Sequence, residues 1–550
     1  MDAVLLGVGA VAAILGAMLV SAKTRIGAPL LLVALGMGVS LLPAVPAIEI
    51  EPEWILAGVL PPLLYSSAVR MPLVDFRRDL GLIGAFSVAL VVVSAVIAGL
   101  AIHLAVPGLP LHVAIALGAV LSPTDAAATA IVRRVGAPGR LTVILDGESL
   151  LNDATSLVTL RTAVAGGATL TGAAGDFCWA VAAAGVVGWV VGQAALRLGA
   201  KVADPAAHTL FSFLVPFAAY LPVEWLGSSG LVAVVAAGLV TGQGAHRWVS
   251  ARNRIAGRAN WETVDALAEG AVFLAMGLQV FALHQTFVAE NDSLTGAIIA
   301  IGVGWVSVLA VRAVFTAGAL FMVGPKLRTA ADRLRWRTAP SFGKRTANTP
   351  APGGASGGIG WREAAALEWA GMRGVVTLAA AQTLPLDTPE RPALVLIAFG
   401  VATVSLMVQG LTLGPVLRRL GLTHGDAAAL DAARVRLRRR LSRTARGFLA
   451  GEAPELRRPD GQPYSKPALA LARSTSRWVT VPEVDTSTPA AAPGASRRQE
   501  LRQLRLATIR ALRRDLLAVS RTAAFPSSLI AEALDDLDRE ELAIDVAPET

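Results

Sequence analysis

The chain has 550 residues, of which 54% are hydrophobic and only 16% charged, and its mean hydropathy is +0.58. An ordinary soluble domain carries about a quarter of its residues as charge, so that class is excluded and the chain reads as a polytopic membrane protein. Its net charge of +9 is no nucleic-acid footprint, because nearly half of the basic residues punctuate apolar segments and do not cluster on one water-facing surface.

Crossing a hydrocarbon core of about 30 Å takes roughly 17–25 apolar helical residues at about 1.5 Å each. In chain order, such runs are predicted near 3–21, 27–44, 53–69, 80–104, 111–132, 142–165, 177–198, 208–222, 229–245, 263–283, 295–322, 362–384 and 393–416, thirteen in all. Ala, Gly, Val and Leu fill them, and only 3 Tyr accompany 11 Trp and 15 Phe. Helices packed through small residues are therefore expected, and an aromatic-girdled β-barrel is not. The first run lacks a basic leading end and has Lys23 and Arg25 behind it, the pattern of a retained helix and not of a signal peptide. The eighth and ninth are short and separated only by Leu221 to Ser228.

Loop charge tests this count, since cytoplasmic loops should hold the Lys and Arg. The odd-numbered connections contain Lys23 and Arg25; Arg70, Arg77 and Arg78; Arg133, Arg134 and Arg140; Arg197 and Lys201; Arg247, Arg252, Arg254 and Arg258; and Lys326, Arg328, Arg333, Arg335, Arg337, Lys344, Arg345 and Arg362. Those are twenty-two residues, against Arg391 alone in the even-numbered connections. A missed or invented helix would scramble that alternation, so thirteen spans are expected, with the amino terminus outside and the tail inside. Residues 338–360, rich in Gly, Pro, Ala and Ser, read as a flexible cytoplasmic linker, and their glycines follow no strand and match no phosphate-binding fingerprint.

Residues 1–420 are thus expected to form the membrane domain and 421–550 a cytoplasmic tail open to a regulatory role. Tail helices are predicted near 427–449, 498–521 and 528–543, with a Pro/Thr/Ala-rich joint at 480–496. On the first of them, Arg434, Arg436, Arg438, Arg439, Arg440 and Arg443 suit either contact with anionic lipid or plain solvation. The single cysteine, Cys178, allows no internal disulfide or cysteine-based metal site, and the six histidines form no ligand pair at helical spacing. No cofactor is expected.

An ionised side chain at mid-bilayer costs at least about 2.5–3.5 kcal/mol, so charges inside the spans are functional candidates. They are Asp125 in LSPTDAAATA, Glu148 and Asp153 in LDGESLLNDATSL, Glu269 in LAEGAVFLAMG and Arg373 in WAGMRGVVTLAAA. Asp153 and Arg373 fall at the centres of their spans, and Asp125 lies about four residues, or roughly 6 Å, beyond the centre of its own. Glu148 and Asn152 are four apart, as are Ser149 and Asp153, so each pair stacks on one helix face. The fifth and twelfth spans cross in opposite directions, and both hold breakers beside the charge: Pro123 before Thr124 and Asp125, and Gly371 and Gly374 around Arg373. Oppositely directed broken helices expose carbonyls and helix ends to an ion in inverted-repeat transporters. The plainer alternative is that Pro123 only kinks a packed helix.

The ordered motifs SPTD, GESLLND, ETVDALAEGAVFLAMG, GMRG and TVSLMVQGLTLGPVLRRLGL, over roughly 120–420, resemble those of the monovalent cation:proton antiporter-1 family, the bacterial (NhaP-type) and animal sodium/proton exchangers. LPPLLYSSA at 60–68 extends the match weakly, and the tail is not covered. The resemblance implies an all-α membrane protein of about thirteen transmembrane helices, with inverted repeats and two crossed discontinuous helices. It implies that Asp153 alternately binds cation and proton, that Asp125, the Thr124 carbonyl and the Ser149 hydroxyl complete or support the ion shell, and that Glu148 and Arg373 form a structural ion pair with Asn152 bonded to it. The Asn152-Asp153 pair goes with electroneutral one-for-one exchange, and a homodimer is expected. Three positions depart from the family or stay open. Ser66 stands where relatives often place an acid on the ion path, Asp146 reads as a helix cap, and Glu269 fits either an ion-path residue or a bonded structural acid.

The chemistry argues in the same direction. A hard cation such as Na⁺ takes oxygen ligands, and Asp153, Asp125, Ser149 and the Thr124 carbonyl are all oxygen donors. A carboxylate buried beside a second acid holds its proton more tightly, so Asp153 could trade a proton for a cation near neutral pH. One site cannot hold both at once, and exchange follows when the loaded site faces alternate sides. A channel would need repeated rings of ligands along a pore, and an intramembrane enzyme lacks HExxH or a plausible dyad. The nearest rival is a carrier of a small organic anion, which would need an uncompensated Arg. Arg161 and Arg312 are the loose ends, with snorkelling of Arg161 and structural use of both as the plain readings. Na⁺, Li⁺ and K⁺ remain open as substrates, and the strong Arg-over-Lys bias suggests the plasma membrane of a GC-rich bacterium.

Overall fold

The computed structural model describes residues 2–24, 26–42, 51, 53–106, 108–125, 127–164, 170–289, 294–322, 360–385, 387–423, 427–458, 462–475, 495–522 and 524–546. Among them every element is a helix, apart from one isolated bridge between Arg457 and Pro463. All of the linker at 338–360 except Gly360, and most of the joint at 480–496, lie outside the described residues. The chain divides into two compact units, Met1–Pro340 with Ser356–Gly425, and Ser341–Ala355 with Asp426–Thr550.

The first unit opens with α1 (Asp2–Thr24) and α2 (Ala28–Ser40). A π segment (Trp54–Val59) runs into α3 (Leu60–Arg70), and a second (Ala85–Ala89) joins α4 (Leu73–Gly84) to α5 (Leu90–Ala105). Then come α6 (Leu111–Leu121), α7 (Ala127–Val135), α8 (Gly139–Val164), α9 (Leu170–Gly199), α10 (Pro205–Trp225) and α11 (Gly230–Trp248). The unit ends with α12 (Ala251–Leu278), α13 (Val280–Ala289), α14 (Leu294–Met322), α15 (Trp361–Trp369), α16 (Val375–Gln382) and α17 (Arg391–Arg419).

Each of the thirteen predicted runs carries helix. Among the described residues, seven stretches are long and apolar enough to cross a membrane by themselves: Leu6–Thr24, Leu73–Ala105, Cys178–Gly199, Pro205–Trp225, Ala251–Leu283, Thr295–Leu320 and Arg391–Arg419. Two of the others fail that simple measure because they are broken (α6/α7 and α15/α16), and α8 fails it because Arg140, Asp146, Glu148, Asp153 and Arg161 lie along it. Large apolar side chains such as Leu15, Val96, Trp189 and Val314 remain exposed on α1, α5, α9 and α14, as lipid-facing surfaces would be.

Small residues set how closely these helices pack, because lipid tails offer helices no hydrophobic reason to associate. At the α2/α12 crossing a methyl on Gly36 would strike the Leu274 carbonyl and the Gly277 backbone, so only hydrogen fits there. Packing sorts the helices into two groups: α9, α10, α11 and α12 gather with α1, α2 and α3, while α4 to α8 gather with α14 to α17.

The second unit contains α18 (Ala427–Gly447), α19 (Lys466–Thr475), α20 (Ala495–Ser520) and α21 (Ser527–Val546). Ala433, Leu437, Leu441 and Ala445 repeat every four residues along α18 and bury against Leu512 and Leu516 of α20 and Leu534 and Leu537 of α21. Arg434 bonds Glu532 and Arg440 bonds Asp515. Two of the six arginines read as facing lipid or solvent are thus held within the tail, while Arg436, Arg438, Arg439 and Arg443 are exposed.

Candidate functional site

Two helices break at the same place, and the site is built there. Pro123 has no N–H for a helical ladder, and the chain leaves helix between Leu121 and Ala127. Gly371 and Gly374 flank the matching gap between α15 and α16. Freed backbone groups at membrane depth need partners, and here the two gaps supply them to each other. The Asp125 N–H donates to the Met372 carbonyl at 2.8 Å. Arg373 donates from Nε to the Leu121 carbonyl at 3.0 Å, and its other nitrogens reach the carbonyls of Gly371 and Ser122. These partners run in opposite order along the two segments, as antiparallel broken helices require.

Beside the crossing lies a cavity of about 140 Å³, room for several waters. One wall comes from the crossing and α8 and carries Thr124, Asp125, Ser149, Asp153, Gly374 and Thr377. The facing wall comes from α3 and α12 and carries Ser67, Arg70, Asp265 and Glu269 among Leu60, Leu64, Val272 and Phe273. Asp153 is 4% exposed and makes no hydrogen bond with any described residue, so its carboxylate meets the cavity unpartnered. Asp125 spends one oxygen on the Ala127 N–H at 2.8 Å. The Ser149 hydroxyl donates to the Thr124 carbonyl at 3.2 Å, which ties together two oxygens expected to complete or support the ion shell.

Behind this wall is a buried network centred on the Thr124 hydroxyl, which accepts from Asn152 Nδ2 at 2.8 Å and donates to Glu148 Oε1 at 3.1 Å. Asn152 is therefore bonded through Thr124 and not directly to the ion pair. The pair itself differs from expectation. Glu148 is gripped by both terminal nitrogens of Arg312, with each residue 1% exposed, and not by Arg373. Arg373 leaves an unwound segment surrounded by bare carbonyls that absorb its donors, whereas Arg312 leaves the intact α14 with its planar fork free for a carboxylate. Arg312 also donates to the Leu367 carbonyl at 2.9 and 3.1 Å.

The remaining residues are placed as follows. Glu269 lines the cavity and has no hydrogen bond to a described residue. Ser66 lies behind the facing wall and donates to Asp265 Oδ2 at 2.6 Å. Asp146 is not a cap, since α8 begins seven residues earlier and its carboxylate pairs with Arg133. Arg161 bonds Glu224 at 3.0 Å and is more than half exposed. Asp265 is the cavity acid that sequence reasoning missed, although its spacing of four from Glu269 puts both acids on one face of α12; Ser67, Arg70 and Thr377 line the cavity without having been singled out for it.

Residues 9–419 match the family described as sodium/hydrogen exchanger, transmembrane. The uncharacterized Na(+)/H(+) exchanger Rv2287 of Mycobacterium tuberculosis is 30% identical over 461 residues, 77% of this chain and 78% of its own. The sodium, potassium, lithium and rubidium/H(+) antiporter of Bacillus pumilus is 28% identical over 407 residues, 70% of this chain and 57% of its own. Among solved structures, the sodium proton antiporter MjNhaP1 from Methanocaldococcus jannaschii shares the fold with a TM-score of 0.55 at 17% identity, covering 76% of this chain and 99% of that one.

Proposed function

The chain belongs to the sodium/hydrogen exchanger family, and from that premise we propose that it exchanges a monovalent cation for H⁺ through competition at Asp153. The observation that carries this is a carboxylate 4% exposed, without a hydrogen-bond partner among the described residues, on the wall of a polar cavity. Such a group is costly to leave ionised and bare, which favours a proton or a cation on it. The cation takes oxygens from Asp153 and Asp125, with the Thr124 carbonyl and Ser149 hydroxyl at hand, and a proton arriving at Asp153 displaces it. Arg312, Glu148, Thr124 and Asn152 hold the wall in place, and Arg373 fastens the crossing. Glu269 belongs to the route by which ions reach Asp153, and Ser66 enters that route only through Asp265.

With Asn152 and not a further acid beside Asp153, the stoichiometry is one cation for one proton and the cycle is electroneutral. Na⁺ is the leading substrate, and the similarity to the sodium, potassium, lithium and rubidium/H(+) antiporter of Bacillus pumilus leaves room for K⁺ and Li⁺. We place thirteen spans in the plasma membrane with the amino terminus outside, residues 1–420 as the transport domain, 421–550 as a cytoplasmic regulatory tail, and the protein as a homodimer. Carriage of an organic anion has no support, since the donors of Arg312 and Arg373 are taken by Glu148 and by main-chain carbonyls. The test is a pH-gradient dequenching assay in everted vesicles with each alkali cation, with and without membrane potential. Asp153→Asn should abolish exchange while the protein stays in the membrane, and retained exchange would refute the proposal.

A further inference from the structure

Among the described residues lining the cavity, Arg70 is the sole cation, facing Asp125, Asp153, Asp265 and Glu269. A guanidinium stays charged at every relevant pH and rides on a long flexible stem, so it is itself a monovalent cation able to visit those carboxylates. Of these four, Arg70 is held at Asp265. It sits at the rim, 39% exposed, with a terminal nitrogen 2.7 Å from Asp265 Oδ2. The same oxygen accepts from the Ser66 hydroxyl at 2.6 Å, which fixes the carboxylate's rotamer from the far side. Asp265 Oδ1 is buried and unbonded among the described residues, so the carboxylate has no other anchor.

We propose that Asp265, clasped by Ser66, is a positioning residue that parks the Arg70 guanidinium at the cavity rim and thereby sets how strongly the cavity attracts the exchanged cation. This rests on the reading that Asp153 and Asp125 take that cation. Its signature is opposite effects from the two halves of one ion pair. Without the Asp265 charge, Arg70 loses its partner and competes with or repels the incoming ion; without Arg70, Asp265 joins Asp125, Asp153 and Glu269 as a fourth acid to draw the ion in.

Cation titrations of exchange at one alkaline pH and constant ionic strength test it, using wild type, Asp265→Asn, Arg70→Gln, the double variant and Ser66→Ala. Asp265→Asn keeps the side-chain shape and should raise the apparent KM for Na⁺ about tenfold. Arg70→Gln should lower it severalfold below wild type, and the double variant should return toward wild type. Ser66→Ala, which only loosens the clasp, should move KM in the Asp265→Asn direction by less, and it stands in for that variant if Asp265→Asn fails to reach the membrane. A bond serving only to tie α3 to α12 would make both single substitutions lower the maximal rate or protein level in the same direction. KM shifts of the same sign for Asp265→Asn, or its stand-in, and Arg70→Gln, or no recovery in the double variant, overturn the proposal. Exchange that survives Asp153→Asn would instead remove the reading beneath it.

Discussion

Taking Glu148 away from Arg312 would strand a guanidinium that is 1% exposed, far from water. Breaking a buried pair this way costs about 3–5 kcal/mol, so Glu148→Ala should sharply lower the melting temperature of the detergent-solubilised protein. A double replacement of both residues by apolar ones should recover much of the loss. Gly374 makes a different demand: a methyl there would land on the Asp125 carboxylate. Gly374→Ala should therefore silence exchange in vesicles while expression is retained. Sequence arithmetic found Asp125, Glu148, Asp153 and Arg373 because a charge deep in a span needs a reason to be there. It could not tell which arginine meets Glu148, because that depends on which helices adjoin and on Arg373 being surrounded by bare carbonyls. Asp265 escaped notice because it lies near the end of its predicted run, where a charge costs little.

Among the helices, the two broken ones were legible because a breaker and a charge coincide twice, at Pro123 with Asp125 and at Gly371 and Gly374 with Arg373. What the pattern could not supply was the register, which is set by individual bonds such as Asp125 N–H to Met372. On α18, the basic string was legible but its partition was not, since only the fold decides that Arg434 and Arg440 turn toward partners on α21 and α20. The α18/α20 contact also responds to acid. Partial burial raises the Asp515 carboxyl, but hydrogen bonds from Arg440 and Thr444 outweigh it and hold the group below the usual aspartate value. A depressed carboxyl contributes stability that is present above its unfolded value near about 3.9 and disappears as pH falls through the folded one. Hydrogen exchange in α18 and α20 should therefore quicken below about pH 4, and Asp515→Asn should remove that dependence; an unchanged acid response would refute the attribution.

For the molecule as a whole, the proposed competition of cation and proton for one carboxylate would make pH act on affinity and not on turnover. On the acid side the apparent KM for Na⁺ should climb toward tenfold per pH unit with an unchanged maximal rate, and excess Na⁺ should restore exchange. A falling maximal rate at saturating Na⁺ would point to separate sites. The mutual bonding of the two gaps also limits how the site can change sides. Drawing the segments apart would leave donors and acceptors orphaned in oil at several kcal/mol apiece. The knot formed by Arg373, Leu121, Met372 and Asp125 must then travel intact, like cargo on a sled, and the sliding seam has to run along the α3 and α12 side, where the cavity already separates the two faces.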